Sequence, residues 1–271
     1  MNIETNKSTN ERLLHGKRAV VTGAGSGIGR AIAEILAASG ANLLIQTRGN
    51  QEGLETTRQN AQEQGIQVET VMADFASMND DPASYSQFVE AAERRLEGSI
   101  DVWINAAGAD ILTGERSKWP MARKLEMLWA VDVRPTVMLS REAGRRMTEQ
   151  DVDGAIVNIG WDGAARGMAG DSAEAFAVAK GAIASFSRSL ACSLAPHVRV
   201  NCLAPGWIKT AWGESADEQW QVRASRESLL HRWGTPEEIA RVVRFLVSPD
   251  GSFVNGQVID VNGGFRPSVD D

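Results

Sequence analysis

The chain has 271 residues, 43% of them hydrophobic and 23% charged, and a net charge of −7. That balance suits one sizeable α/β domain with a buried core, and the negative charge argues against a nucleic-acid or anionic-membrane partner, which needs a basic surface. Two cysteines outside any Cys-x-x-Cys pair frame no disulfide scaffold, three scattered histidines suggest no metal site, and no apolar run reaches the ~18 residues of a membrane span, so a cytoplasmic protein is expected.

Met1 to Glu11 is polar, and positions 1–15 are expected to form a flexible tail ahead of a single domain at 16–271. Arg18–Thr22 has the apolar run of a strand. The glycines after it lead into a helical pattern at Ile28–Ser39, which Gly40 ends. Asn42–Thr47 predicts a second strand, Asn50–Gln64 a helix stopped by Gly65, and Gln67–Ala73 a third strand. The alternation continues through helix Ala83–Leu96, strand Asp101–Asn105, helix Arg123–Met147, strand Ala155–Ile159, helix Ser172–Leu194 and strand Arg199–Leu203. Lys209–Arg232, rich in Trp, Ser and charge, breaks the rhythm. It follows the carboxyl end of a strand, where such sheets bind ligands, and is expected to be a lid. Thr235 caps a helix at Pro236–Val247 with Pro and two acids in its first turn, and Gln257–Val261 is the last strand. Nearly continuous apolar strands joined through helices require a parallel sheet covered on both faces. The expected fold is a Rossmann-type doubly wound α/β sandwich, with seven parallel strands and three helices on each face.

Thr22-Gly23-Ala24-Gly25-Ser26-Gly27-Ile28-Gly29 joins the first strand to the first helix. Glycine permits a tight turn and lets backbone N–H groups approach a pyrophosphate, whose charge the positive end of the helix then favours. In the first link of a βα alternation this pattern points to a dinucleotide.

The same spacing resembles the cofactor signature of the short-chain dehydrogenase/reductase family, and the likeness continues in register from about Gly16 to Gly264. Asn105-Ala106-Ala107-Gly108 is similar to that family's segment after the fourth strand, and Asp74-Phe75 falls where it places an Asp beside the adenine. Pro205-Gly206-Trp207-Ile208-Lys209-Thr210 resembles the turn that holds the nicotinamide amide. The resemblance therefore implies dinucleotide contacts from Gly23, Gly25, Ser26, Gly27, Ile28, Gly29, Arg48, Asp74, Phe75, Asn105, Ala106, Gly108, Lys180, Pro205, Gly206, Ile208 and Thr210. The tip of the second strand reads Gln46-Thr47-Arg48, with no acid to hold a ribose 2′-hydroxyl. Arg48 suits a 2′-phosphate, so NADP(H) is favoured over NAD(H).

The family's usual machinery is a Tyr with a Lys four residues on, a Ser and an Asn. Here Phe176 stands in the tyrosine's place with Lys180 retained, Trp161 takes the serine's place with Asp162 next to it, and Asp132 takes the asparagine's. A benzene ring has no proton to give, so ordinary carbonyl reduction needs a replacement acid. Asp162 and Asp132 are the candidates, and Asp171 and Glu174 stand nearby in sequence; Asp171 also suits a helix cap. Tyr85, the single tyrosine, lies far from these motifs and reads as a surface or packing residue. Arg166 and Lys209 are candidate anion contacts, and Trp161, Trp207, Trp212, Trp220 and Trp233 suit an aromatic-walled pocket, a core or a subunit interface. The leading expectation is an oxidoreductase acting on a small organic substrate and assembled as a homo-oligomer (dimer or tetramer) through its long helices, as the resemblance implies. Two others stay open: a lyase or isomerase with a structural cofactor and Asp162 or Asp132 as acid–base, and a non-catalytic dinucleotide sensor or partner subunit.

Overall fold

A computed structural model describes residues 12–81, 83–210, 213–214 and 216–266. Seven strands, β1 (Arg18–Val21), β2 (Asn42–Thr47), β3 (Val68–Met72), β4 (Val102–Asn105), β5 (Gly154–Ile159), β6 (Val198–Pro205) and β7 (Val258–Val261), form one parallel sheet in the order β3-β2-β1-β4-β5-β6-β7. The order reverses between β1 and β4, which opens a crevice at the carboxyl ends of the strands.

Three helices cover each face, as the sequence predicts. Helices α1 (Gly27–Ala38) and α2 (Gln51–Gln62) lie on one side with Pro236–Val247, the last long helix. Ile32, Leu36, Leu43, Ile45, Val243 and Leu246 are buried together there. On the other side α3 (Ala83–Arg95) packs with the helices Arg134–Glu149 and Asp171–Leu194 around Trp103, Leu139 and Leu190. Central strands are apolar on both faces because each face meets a helix layer; Val20, Val21, Leu43 and Ile45 are all fully buried.

The segment predicted as one helix from Arg123 to Met147 is three pieces. A short α4 (Gly114–Ser117) precedes α5 (Met121–Leu128), a widened π turn spans Trp129–Val133, and α6 runs Arg134–Glu149. Pro135 has no N–H to continue the ladder, and the Arg134 N–H reaches back five residues to the Trp129 carbonyl. The extra residue in that turn carries Asp132, which is fully buried. The packed structure also begins earlier than Gly16: Leu14 is in the core and its N–H donates to the Ser39 carbonyl. The rest of the expected tail, residues 1–11, lies outside the described residues.

Beyond β5 come α7 (Gly163–Arg166) and α8 (Asp171–Leu194), whose exposed Asp171 opens the helix. The expected lid holds α9 (Glu218–Glu227), which Asp217 caps by accepting from the Trp220 N–H at 3.1 Å. Ala211, Trp212 and Ser215 lie outside the described residues. The last helix is α10 (Pro236–Val247), started by a complete capping box of Thr235 and Glu238.

Candidate active site

A cleft of about 640 Å3 opens along the carboxyl ends of β1, β2 and β4 and reaches the start of α8. One end is walled by Ser26, Thr47, Arg48, Asp74 and Phe75, the other by Asp132, Phe176 and Lys180, and Thr210 lines it over Gly27. Between them lie Gly23, Gly27, Ile28, Gly29 and the backbone of Ala106–Ala109. The size suits a ligand of dinucleotide scale.

The glycine turn is pressed between its neighbours. Gly23 has φ +68, and a side chain there would sit 2.7 Å from the Ala107 backbone; a Cβ on Gly29 would meet the Gly23 carbonyl at 2.3 Å. Ser26 is extended and gives α1 no side-chain cap, so the first-turn N–H groups have no intrahelical partner and border the cleft. This is the donor set that an anion such as a pyrophosphate requires, and the residues present fit the phosphate end of a dinucleotide. Gly25 lies under the turn. Its carbonyl accepts from Arg30 at 2.8 Å and Asn50 at 3.0 Å.

Several residues that hold this geometry escaped the sequence reading. Gln46 accepts from the Gly23 N–H at 3.0 Å and donates to the Ala73 carbonyl at 2.6 Å, so it ties the glycine turn to the end of β3. Thr22 Oγ1 accepts from the N–H groups of both Ala106 and Ala107 at 3.1 Å. A polar Gln inside an otherwise apolar strand was the available signal. Arg48 is exposed on the cleft wall, and Asp74 caps the short turn Phe75–Asp80 through the Ala76 N–H.

Asn105 sits apart from the lining. Its amide donates to Ser140 Oγ and Asn158 Oδ1, both at 2.8 Å, and its carbonyl accepts from the Trp103 indole at 2.9 Å. This fully engaged network under the sheet supports Ala106–Gly108 from below, and Asn105 is correspondingly 4% exposed. Pro205 and Ile208 are likewise buried beneath the site, whereas Thr210 packs over Gly27. Gly206 belongs with Asp162: a Cβ there would lie 3.0 Å from Asp162 Oδ2.

At the far end, Asp132 and Lys180 form a buried ion pair, with Oδ2 2.9 Å from Nζ. Asp132 Oδ1 accepts from the Ala109 N–H at 2.8 Å, and Lys180 also donates to the Ile159 carbonyl at 3.2 Å. Asp132 Oδ2 makes no hydrogen bond with that ammonium, so of the three N–H donors of Lys180 only the one on Ile159 is engaged and a donor remains for a group in the cleft. The Lys180 ammonium lies 5.3 Å from the centre of the Phe176 ring, and Phe176 meets Trp161 edge-on at 5.4 Å.

Asp162 does not line the cleft. It is 3% exposed, accepts from Asn262 at 2.9 Å, and is ion-paired with Arg166, which stacks on Phe265 at 3.6 Å. Burial pushes its carboxyl above the usual range, although Asn262 and Arg166 pull the other way. A small hollow beside it touches Trp207 and Glu227, whose side chains are hydrogen-bonded at 2.8 Å. Trp207 also packs on Trp220 and Trp233. Lys209 and Glu174 are exposed. Tyr85 is a packing residue: it is 2% exposed in the core beside Phe75, with its hydroxyl 3.4 Å from the Phe75 carbonyl. Among the described residues no group of His, Cys, Asp and Glu suits a metal, and no helix is long and apolar enough to cross a membrane.

Residues 23–266 match the profile of a family described as enoyl-(acyl carrier protein) reductase. The short-chain reductase protein NovJ of Streptomyces niveus is 35% identical over 261 residues, 92% of this chain and 93% of its own. A 3-oxoacyl-[acyl-carrier-protein] reductase FabG from Aquifex aeolicus is 32% identical, covering 93% of this chain and 98% of its own. Among solved structures, a short-chain dehydrogenase from Burkholderia cenocepacia J2315 in complex with NADP superposes with a TM-score of 0.82 at 28% identity, over 93% of this chain and 98% of that one.

Proposed function

The chain belongs to the short-chain dehydrogenase/reductase family, and from that premise we propose that it is an NADP(H)-dependent oxidoreductase working with a rebuilt active site on a small organic substrate. The observation that carries this reading is the cleft itself. Uncapped helix N–H groups and glycines stand at the phosphate position with Thr210 over Gly27, Arg48 stands at the tip of β2, and Lys180 at the opposite end. A nicotinamide dinucleotide bound there supplies or accepts a hydride.

The chain's own residues do the rest. Gly23–Gly29 cradle the pyrophosphate, Arg48 pairs with a 2′-phosphate, and the free N–H of Lys180 holds the nicotinamide ribose. Phe176 puts an apolar ring on the cleft where the family's pattern has a hydroxyl, and Trp161, which lines the neighbouring hollow and not the cleft, packs edge-on behind that ring. Of the carboxyls weighed as replacement acids, Asp162 does not border the cleft, which counts against a lyase or isomerase built on it, and Asp132 does border it but is ion-paired with Lys180. Assembly into a homo-oligomer is part of this proposal. Trp129 and Val178 are 50% and 57% exposed beside an apolar hollow between α5 and α8, the helices through which the family resemblance implies pairing.

The test is cofactor affinity. Wild type is expected to bind NADPH more tightly than NADH, and Arg48→Ala to weaken NADPH about tenfold with little change for NADH, the worth of one charge-assisted phosphate contact. Titration of each dinucleotide by calorimetry measures this. Equal affinity for both in wild type, or an equal loss of both in the variant, contradicts the 2′-phosphate assignment.

A further inference from the structure

We infer that Asp132 is a redox-poising residue: its carboxylate, buried beside Lys180, removes one unit of positive charge from the nicotinamide end of the cleft and so favours the oxidised, cationic form of the bound dinucleotide. This rests on the dinucleotide reading above. The observations are that Asp132 borders the same end of the cleft as Lys180 and Phe176, that it is fully buried, and that Oδ1 is fixed by the Ala109 N–H while Oδ2 makes no hydrogen bond and stands 2.9 Å from the Lys180 ammonium. The carboxylate is therefore held in place where solvent screens it little.

The charge count decides the sign. A neutral amide at position 132 leaves the Lys180 ammonium as an uncompensated positive charge next to a ring that carries +1 when oxidised and none when reduced. A carboxylate turns that neighbourhood into a neutral pair. The oxidised ring is then repelled less, whereas the reduced ring is largely indifferent. Because Asp132 would interact differently with the two redox forms, with the dinucleotide bound it would also favour the positive charge on the oxidised ring and so lower the barrier to hydride donation. This contribution acts on the donor side, in a site where Phe176 offers no proton on the acceptor side.

The readout is equilibrium binding and needs no substrate. Dissociation constants for NADP+ and NADPH are measured on the folded full-length protein, wild type and Asp132→Asn, at one pH and ionic strength. The ratio of the NADP+ constant to the NADPH constant is expected to rise about tenfold in the variant, a shift of about 30 mV in the potential of the bound two-electron couple. Asp132→Ser, smaller and equally uncharged, is expected to displace the ratio in the same direction. General damage to the cleft weakens both forms together and leaves the ratio alone. A ratio that moves less than threefold in both variants, or falls, overturns the proposal while leaving the dinucleotide reading in place. Failure of wild type to bind either form removes the dinucleotide reading and this inference with it.

Discussion

Asp162 and Asp132 have the same chemistry and were equal candidates in the sequence, yet their surroundings separate them. Asp132 is carried inward by the widened turn at Trp129–Val133 and borders the cleft beside Lys180. Asp162 turns toward Arg166 and Asn262, in the hollow that Trp161 also lines. Asp162→Asn is therefore expected to leave NADPH affinity within about twofold, because no contact to the cleft is lost, yet to lower stability by about 2 kcal/mol. Removing one member of a buried pair strands the other, and the 23% exposure of Arg166 keeps the cost below that of a fully buried pair. Burial raises the folded-state affinity of Asp162 for its proton, so the proton-linked part of its contribution, separate from the contacts that the substitution strands, is complete below the ordinary carboxyl range and fades as pH rises through its elevated value. The substitution abolishes that slope, which urea melts across pH 4 to 8 would show. A large loss of NADPH binding in the variant places Asp162 in the site after all. Motif spacing marks both aspartates as candidates but contains nothing about which way each turns. The direction is set by Asn262, 100 positions away along the chain, and by the π turn at Trp129–Val133.

The elements themselves were largely legible. Strand cores such as Leu43-Leu44-Ile45 and amphipathic helices such as α10 carry their period in the chain, and their ends moved by only a few residues. The break within Arg123–Met147 was less visible, because apolar periodicity runs on through the π turn and Pro135 can also sit near the start of a helix. The start of α10 was the clearest local signal. Thr235 accepts from the Glu238 N–H at 3.3 Å, and the Glu238 carboxylate accepts from the Thr235 N–H at 2.9 Å and from Arg232. The Arg232 contact, with help from Thr235, pulls the Glu238 carboxyl down to about 2. Its stabilising effect is accordingly present above about 4.5 and lost as pH falls toward 2, discounted because the side chain is a third exposed. Thr235→Ala is expected to cost about 1 kcal/mol, or about 3 °C in Tm for a domain of this size, when melted at pH 7. An unchanged Tm contradicts the cap's role.

On the scale of the whole molecule, the sheet order follows from the right-handed βαβ crossovers implied by strand–helix alternation, and the switch between β1 and β4 puts the cleft where such folds bind ligands. The glycine turn, Lys180 and Thr210 were recognisable from spacing and do meet at that cleft. Asn105 was not readable as a buried support, since a motif names a position and not the network that consumes its side chain. What the cleft lacks among the described residues is a phenol: Phe176 lies beside Lys180, and Tyr85 is locked in the core beneath Phe75.

Transfer of the hydrogen itself tests that combination most directly. Wild-type protein saturated with NADPH carrying deuterium at nicotinamide C4 is incubated with a panel of carbonyl acceptors, β-ketoacyl thioesters included, and with a preformed iminium ion, which needs a hydride but no proton. Products are weighed by mass spectrometry. Deuterium is expected in at least one acceptor, with Phe176 unchanged. Tight NADPH binding with no deuterium in any product would contradict the oxidoreductase reading and leave a dinucleotide-binding protein without hydride chemistry.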